Sequence, residues 1–130
     1  MNTEKAELFT PAPEWSGRSD GPGPEHARWH SVINQSATSP APVTLLGFAS
    51  DEGVLRNGGR QGAAAGPAAL RSALGSLAVH HQHALADAGT ITTQADDLEG
   101  AHDALSDKVQ ELVAAGTLPV SYTHLTLPTK

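Results

Sequence analysis

The chain has 130 residues and carries 14 Asp or Glu against 8 Lys or Arg, which gives a net charge of −6 at pH 7. An acidic chain without a basic cluster among its aromatic residues is a poor candidate for binding nucleic acid or an anionic membrane. The chain has no cysteine, which excludes disulfides and zinc–thiolate sites within it. It also has no apolar run long enough to cross a bilayer, and we expect a cytoplasmic protein.

The first 42 residues predict an amino-terminal extension that is mostly irregular. Proline and glycine recur between Pro11 and Gly23, which leaves little room for a regular element. A short helical turn is predicted over residues 25–33, and a loop over residues 34–42. The remaining length predicts one packed unit of modest size.

A strand, a glycine-rich loop and a helix follow one another between residues 43 and 77. Residues 43–48 form an apolar run, typical of a strand covered on both faces in a parallel sheet. Pro67 suits the first turn of a helix, and leucines follow it at helical spacing. The loop between them leaves the carboxyl end of the strand, where open α/β sheets place their ligands. Its glycines are Gly58, Gly59, Gly62 and Gly66.

A second strand is predicted at residues 85–89, a second helix over residues 98–113 and a third strand from residue 117. Asp96 or Asp97 is expected to cap the second helix, Glu99 suits its first turn, and Gly116 suits the position after its end. The order strand, helix, strand, helix, strand predicts an α/β fold with a parallel sheet and helices on its faces.

Few side chains could carry chemistry. The glycines of the loop could bind an anion through exposed backbone N–H groups. However, both the Gly-x-Gly-x-x-Gly motif and the Gly-Lys-Ser/Thr of a phosphate loop are missing. The alternative is that these glycines serve only to form turns. The histidines lack the flanking carboxylates of a zinc or manganese site. A solvated acidic helix start explains the carboxylates between residues 96 and 103. The histidines considered are His26, His30, His80, His81 and His83.

Several sequence blocks resemble the arginase-like ureohydrolases, and among them the formimidoylglutamase branch. The longest block covers residues 46–71 and includes Asn57, Gly59-Arg60, Gly62-Ala63 and Gly66-Pro67-x-x-Leu70-Arg71. Two shorter blocks lie upstream, Trp15-x-Gly17-Arg18-x-Asp20 and Arg28-Trp29-His30. The similarity runs from about Trp15 to Val120.

The resemblance implies the amino-terminal part of a three-layer α/β/α arginase-like fold with a parallel sheet. It also implies a manganese-dependent hydrolase of histidine degradation, which converts N-formimidoyl-L-glutamate and water to L-glutamate and formamide. The substrate has two carboxylates, and a guanidinium can hold a carboxylate through two parallel hydrogen bonds. On the resemblance, Asn57 and Arg60 therefore bind the substrate, with Arg56 as a further candidate. A loop residue that is simply solvated is the alternative for each.

The metal ligands of the family lie in Gly-Gly-Gly-His, Asp-x-His-x-Asp and Asp-x-Asp motifs, and this chain has none of them. We therefore expect no catalytic residue, no metal ligand and no bound manganese in this chain, although full-length family members bind Mn²⁺ and are commonly homo-oligomeric. Residues 121–130 depart from the family and resemble translated sequencing-adapter read-through. The expected organisation is an extension at 1–42, a truncated ureohydrolase domain at 43–120 and an unrelated tail at 121–130.

Two other functions stay open on the sequence. The Gly-Pro-x-x-Leu-Arg element is shared widely among ureohydrolases, so an agmatinase or guanidinobutyrase type is one alternative. A small nucleotide-binding α/β module that uses residues 58–66 as an anion seat is the other. If the chain is a truncated ureohydrolase, its two or three parallel strands leave open sheet edges and an apolar face, and we expect the isolated chain to be poorly soluble or loosely packed.

Overall fold

The structure, a computed structural model, describes residues 3–35 and 41–122. They form an α/β fold in which one four-stranded sheet lies between two groups of helices. The strands are β1 (Phe9–Thr10), β2 (Val43–Ala49), β3 (Leu85–Thr92) and β4 (Leu118–Tyr122). The helices are α1 (Thr3–Glu7), α2 (Trp29–Val32), α3 (Glu52–Arg56), α4 (Gly66–Gly75) and α5 (Leu98–Ala114), with 3₁₀ turns at Pro24–His26 and Ala63–Ala65.

The sheet has the strand order β1-β3-β2-β4. Strands β2, β3 and β4 are parallel, with Val43 opposite both Leu85 and Leu118. The predicted alternation of strand, helix, strand, helix and strand is confirmed by β2, α4, β3, α5 and β4. Strand β1 pairs antiparallel with β3 and was not predicted, because two residues are too few to show a periodic pattern.

Strand β3 is longer than predicted, since it continues past Gly89 to Thr92. Gly89 has a φ of +122°, and a Cβ at this position would lie 2.2 Å from the carbonyl oxygen of Thr10. The glycine therefore allows β1 to approach β3 within the strand rather than ending it. Helices α1 and α3 are further differences, because the sequence predicted mostly irregular structure in the extension and only loop between β2 and α4.

The predicted helix ends are confirmed. Pro67 lies in the first turn of α4. The Asp97 carboxylate caps α5 by accepting a hydrogen bond of 2.9 Å from the backbone N–H of Gly100. Gly116 follows the end of α5 with a φ of +84°.

The core has one apolar cluster on each face of the sheet, and the extension contributes to both. Leu46, Phe48 and Ile91 pack against α5 together with Leu8, which precedes β1. The extension residues Trp15 and Ile33 pack on the opposite face, the side of α4. Residues 11–20 have no regular secondary structure, as predicted, yet the extension and the α/β unit share one core. The boundaries at residues 42 and 120 stay predictions.

The two edges of the sheet differ in how they are covered. Extension residues line the edge of β3, with β1 near its end and Asn34 bonded to Leu85 and Asp87 near its start. Among the described residues β4 has a neighbour on one side only. On β4, Leu118 is 63% exposed and Val120 is 41% exposed. β4 continues through Tyr122, and the rest of the predicted tail lies outside the described residues.

We expect the chain to self-associate through the β4 edge, because an open apolar edge strand pairs readily with another chain. Val120→Lys should reduce association, since a lysine on an edge strand opposes such pairing. Sedimentation velocity over a range of concentrations measures the effect. Val113→Lys is the matched control, because Val113 is also exposed but lies on α5. Equal association of both variants and the parent chain would contradict the prediction.

Candidate functional site

The glycine-rich loop, residues 57–66, lies at the carboxyl edge of the parallel strands. Strand β2 ends at Ala49, and α3 and the loop follow before α4 begins. The carboxyl ends of β3 and β4 point to the same edge, because the three strands are parallel. This is the edge at which open α/β sheets bind ligands.

Asp51 holds the second half of the glycine-rich loop. Its Oδ1 atom accepts hydrogen bonds from the backbone N–H groups of Gly62, at 2.9 Å, and Ala64, at 3.0 Å. The bonds from Ala64 and Gly62 lower the pKa of the Asp51 carboxyl below its ordinary value. Two backbone donors that an anion seat would need are therefore already bound to a carboxylate of the chain. This arrangement removes support from the nucleotide-binding alternative.

Arg56 holds α3 to the start of α5. Its guanidinium donates to Glu52 at 2.9 Å, to Oε2 of Glu99 at 3.0 Å and to the carbonyl oxygen of Asp96 at 2.9 Å. Glu99 and Glu52 raise the pKa of Arg56, and Arg56 lowers the pKa of Glu99 to about 2. The guanidinium is thus engaged with two carboxylates, which leaves little of it for a ligand.

Asn57 and Arg60 lie between these two attachments, and both are exposed. Asn57 ends α3, where its backbone N–H bonds to carbonyl oxygens of Gly53 and Val54. Among residues 3–35 and 41–122, neither the Asn57 amide nor the Arg60 guanidinium has a hydrogen-bond or ion-pair partner. The structure thus brings the two predicted binding residues into one loop with their polar groups open to solvent.

Helix α4, which follows the loop, packs closely on the sheet. A Cβ on Gly47 of β2 would lie 3.0 Å from the Cβ of Pro67, so the helix start and the strand are in near contact there. Further along α4, Arg71 donates to both carboxylate oxygens of Asp87 on β3, at 2.7 and 3.0 Å. Trp15 of the extension donates its indole N–H to the same carboxylate at 2.8 Å.

This buried cluster of Trp15, Arg71, Asp87 and Thr90, here called the Asp87 cluster, was not recognised in the sequence. In the sequence, Trp15 and Arg71 belong to the resembling blocks, and Asp87 lies on a predicted strand. An aspartate in an otherwise apolar strand is the signal that could have found it, because a buried carboxylate requires a partner.

Two of the histidines considered in the sequence make contacts within the chain. The His30 ring bonds to the carbonyl oxygen of Arg18 at 2.8 Å, and the His81 ring packs edge-on against Trp29. Two carboxylates at the start of α5 have defined partners and are not simply solvated, as the sequence indicated. Asp97 caps the helix, and Glu99 pairs with Arg56. In the described part of the chain, no three His, Asp or Glu side chains lie together as a metal site. No helix within the same residues is long and apolar enough to span a membrane.

Comparison with known proteins gives one family. The model of the arginase family matches residues 41–123. A formimidoylglutamase of Nocardia farcinica is 46% identical over 114 residues, which cover 86% of this chain and 37% of that protein. A formimidoylglutamase of Corynebacterium efficiens is 49% identical over 114 residues, which cover 82% of this chain and 34% of that protein. The chain thus spans about a third of the length of these relatives.

Solved structures agree with this similarity. A Trypanosoma cruzi formiminoglutamase variant with Mn²⁺ superposes with a TM-score of 0.65 at 37% sequence identity. The superposition covers 75% of this chain and 35% of the Trypanosoma cruzi chain. The oxidised form of the Trypanosoma cruzi enzyme with Mn²⁺ superposes with a TM-score of 0.62, also at 37% sequence identity. This superposition covers 75% of this chain and 36% of the Trypanosoma cruzi chain. The α/β fold expected from the sequence is confirmed by these likenesses.

We predict that Asp51→Ala increases amide hydrogen exchange at Gly62 and Ala64, because their N–H groups lose their acceptor. Asp96→Ala is the control, since the Asp96 carboxylate has no partner among the described residues. Site-resolved exchange by NMR measures both variants at neutral pH. Equal exchange in the two variants would show that Asp51 does not hold the loop.

The same contact predicts a pH dependence. The pKa of Asp51 is lower in the folded chain than its ordinary value of 3.8, so its bonds stabilise the loop above that pH. Protection of Gly62 and Ala64 should therefore be lost as the pH falls from 3.8 through the lower pKa of the folded chain. In Asp51→Ala this loss should be absent.

Proposed function

Because this chain belongs to the arginase family, we propose that it is part of a formimidoylglutamase, which hydrolyses N-formimidoyl-L-glutamate to L-glutamate and formamide. The observation that carries the proposal is the identity with formimidoylglutamases along most of the chain. The position of the open polar loop at the carboxyl edge of the sheet agrees with it. The cytoplasmic location expected from the sequence stays a prediction, and so does the homo-oligomeric state that the resemblance implies for full-length family members.

In this proposal the glycine-rich loop binds the glutamate part of the substrate. The Arg60 guanidinium can donate two parallel hydrogen bonds to one carboxylate, and the Asn57 amide can donate to an oxygen nearby. Both groups are exposed and unpaired among the described residues, whereas Arg56 is engaged with Glu52 and Glu99. The attachments at Asp51 and Arg56 hold the two sides of the loop before the substrate arrives, which lowers the entropic cost of binding.

The charge of the loop separates the proposed substrate from those of other ureohydrolases. A fixed positive charge at Arg60 attracts a substrate with two carboxylates and repels a cationic substrate such as agmatine. A guanidinobutyrate substrate has one carboxylate and would use only part of the site. The loop therefore favours N-formimidoyl-L-glutamate over both.

Manganese is present in the Trypanosoma cruzi structures. We propose that the full-length enzyme also binds it, with ligands that lie outside the described part of this chain. The described residues do not fit a metal site, since no three potential ligands among them come together. We therefore assign this part of the enzyme to substrate binding and derive no chemical step from it.

The first test is the substrate preference of the full-length enzyme to which we assign this chain. With manganese supplied, it should release formamide from N-formimidoyl-L-glutamate. The kcat/KM should exceed that for agmatine or 4-guanidinobutyrate by about 100-fold or more, because a site built for polar groups rejects ligands that leave them unpaired. A preference for agmatine or 4-guanidinobutyrate would instead assign another ureohydrolase activity.

The second test concerns Arg60. In the same full-length enzyme, Arg60→Ala should raise KM for N-formimidoyl-L-glutamate by about tenfold to 100-fold, as expected for the loss of charge-assisted hydrogen bonds to a carboxylate. The kcat should change little, because the contact is made equally in the ground state and the transition state. Arg18→Ala is the control, since Arg18 is an exposed arginine of the extension. An unchanged KM would remove Arg60 from the binding site.

A further inference from the structure

The Asp87 cluster joins three parts of the chain at one buried carboxylate. Asp87 is 1% exposed, and its two oxygens together accept bonds from Trp15, from two nitrogens of Arg71 and from the backbone N–H of Gly89. Two further N–H groups of Arg71 donate to the Thr90 hydroxyl at 2.7 Å and to the Gly89 carbonyl oxygen at 2.8 Å. Both carboxylate oxygens of Asp87 and four of the five N–H donors of Arg71 are therefore hydrogen-bonded.

Stability alone does not account for such a pair. Burial of two charges has a desolvation cost that often cancels their attraction, and apolar residues of the same volume stabilise a core as well or better. What the pair does provide is a defined geometry, because a guanidinium bonded to both carboxylate oxygens permits one orientation. The Asp87 cluster thus sets how α4 lies on the sheet.

The orientation of α4 determines where the glycine-rich loop ends. Arg71 lies five residues after Gly66, the first residue of α4 and the last of the loop. Pro67 is packed against Gly47 at this point. The 3₁₀ turn at Ala63–Ala65 precedes α4 and contains Ala64, which Asp51 bonds together with Gly62. A continuous run of packed and hydrogen-bonded residues therefore connects Arg71 to the loop.

The extension holds α4 at a second point. Trp15 belongs to the Asp87 cluster, and three residues later the backbone N–H of Arg18 donates to the Ser76 hydroxyl at 3.0 Å, where α4 ends. Arg28 donates to the Ser76 carbonyl oxygen as well. The extension thus contacts α4 from its middle to its carboxyl end, while the loop lies at its amino end.

We propose that Trp15 is a positioning residue for the glycine-rich loop. The indole N–H restrains Asp87, and Asp87 orients Arg71 and α4. Helix α4 in turn fixes the carboxyl end of the loop, and Asn57 and Arg60 lie in the earlier part of the same loop. The consequence for substrate affinity rests on the proposed function, whereas the consequence for the order of the loop does not.

Trp15→Phe tests the proposal in the full-length enzyme, because phenylalanine keeps an aromatic ring and removes the N–H donor. Trp29→Phe is the matched control, since Trp29 packs on the same face of the sheet but makes no bond in the Asp87 cluster. Amide hydrogen exchange of residues 57–66, measured without substrate, should be faster by about tenfold in Trp15→Phe, as one lost hydrogen bond to a buried charge would allow. It should be unchanged in Trp29→Phe.

Kinetics supply the second measurement. Trp15→Phe should raise KM for N-formimidoyl-L-glutamate about threefold to tenfold with kcat nearly unchanged, because a less ordered loop binds substrate less well. Faster exchange with an unchanged KM would uphold the positioning of the loop and contradict its role in substrate binding. Unchanged exchange in the loop, or an equal increase throughout the chain, would overturn the proposal.

If Trp15→Phe fails to fold, Thr90→Val tests the part of the proposal by which Arg71 and α4 hold the loop, with the Trp15 bond left in place. It keeps the β-branched shape and removes one acceptor of Arg71. The proposal again requires faster exchange confined to α4 and residues 57–66. Exchange that is unchanged there would overturn it.

Discussion

The buried carboxylate of Asp87 is the constraint on which the arrangement of this chain depends. A charge in the core must be paired, and removal of one partner of such a pair costs about 3–5 kcal/mol. Asp87 therefore requires Arg71 of α4 and is further bonded by Trp15 of the extension. One side chain on β3 thereby brings together α4 and Trp15, which precedes Asp87 by 72 positions in the chain.

Hydrogen bonds to charged side chains also hold the loop of the site. Asp51 uses backbone N–H groups of the glycine-rich loop, and Arg56 uses carboxylates beside α5. These attachments are more exposed than the Asp87 cluster, and exposed ion pairs contribute little to stability. Their effect is geometric, since they hold the loop on both sides. Asn57 and Arg60 remain as the polar groups of the loop that have no partner among the described residues.

Local patterns predicted the longer regular elements and missed the short ones and the tertiary contacts. The apolar run of β2, the proline that starts α4 and the aspartate that caps α5 act through neighbours in sequence, so each could be recognised there. Strand β1 could not be recognised, because its two residues are a strand only through pairing with β3. The length of β3 was wrong for a related reason, since Gly89 ends a strand by propensity and continues one where another backbone approaches.

The sequence by itself determined the α/β alternation, the position of the glycine-rich loop at the end of a strand and the family resemblance, because these depend on periodicity and on short motifs. Only the tertiary structure decided which charged residues are engaged. Arg56, Arg60 and Arg71 look alike in sequence, yet one pairs with exposed carboxylates, one has no partner among the described residues and one is buried against Asp87. The difference arises from contacts between residues far apart in the chain, which no local pattern encodes.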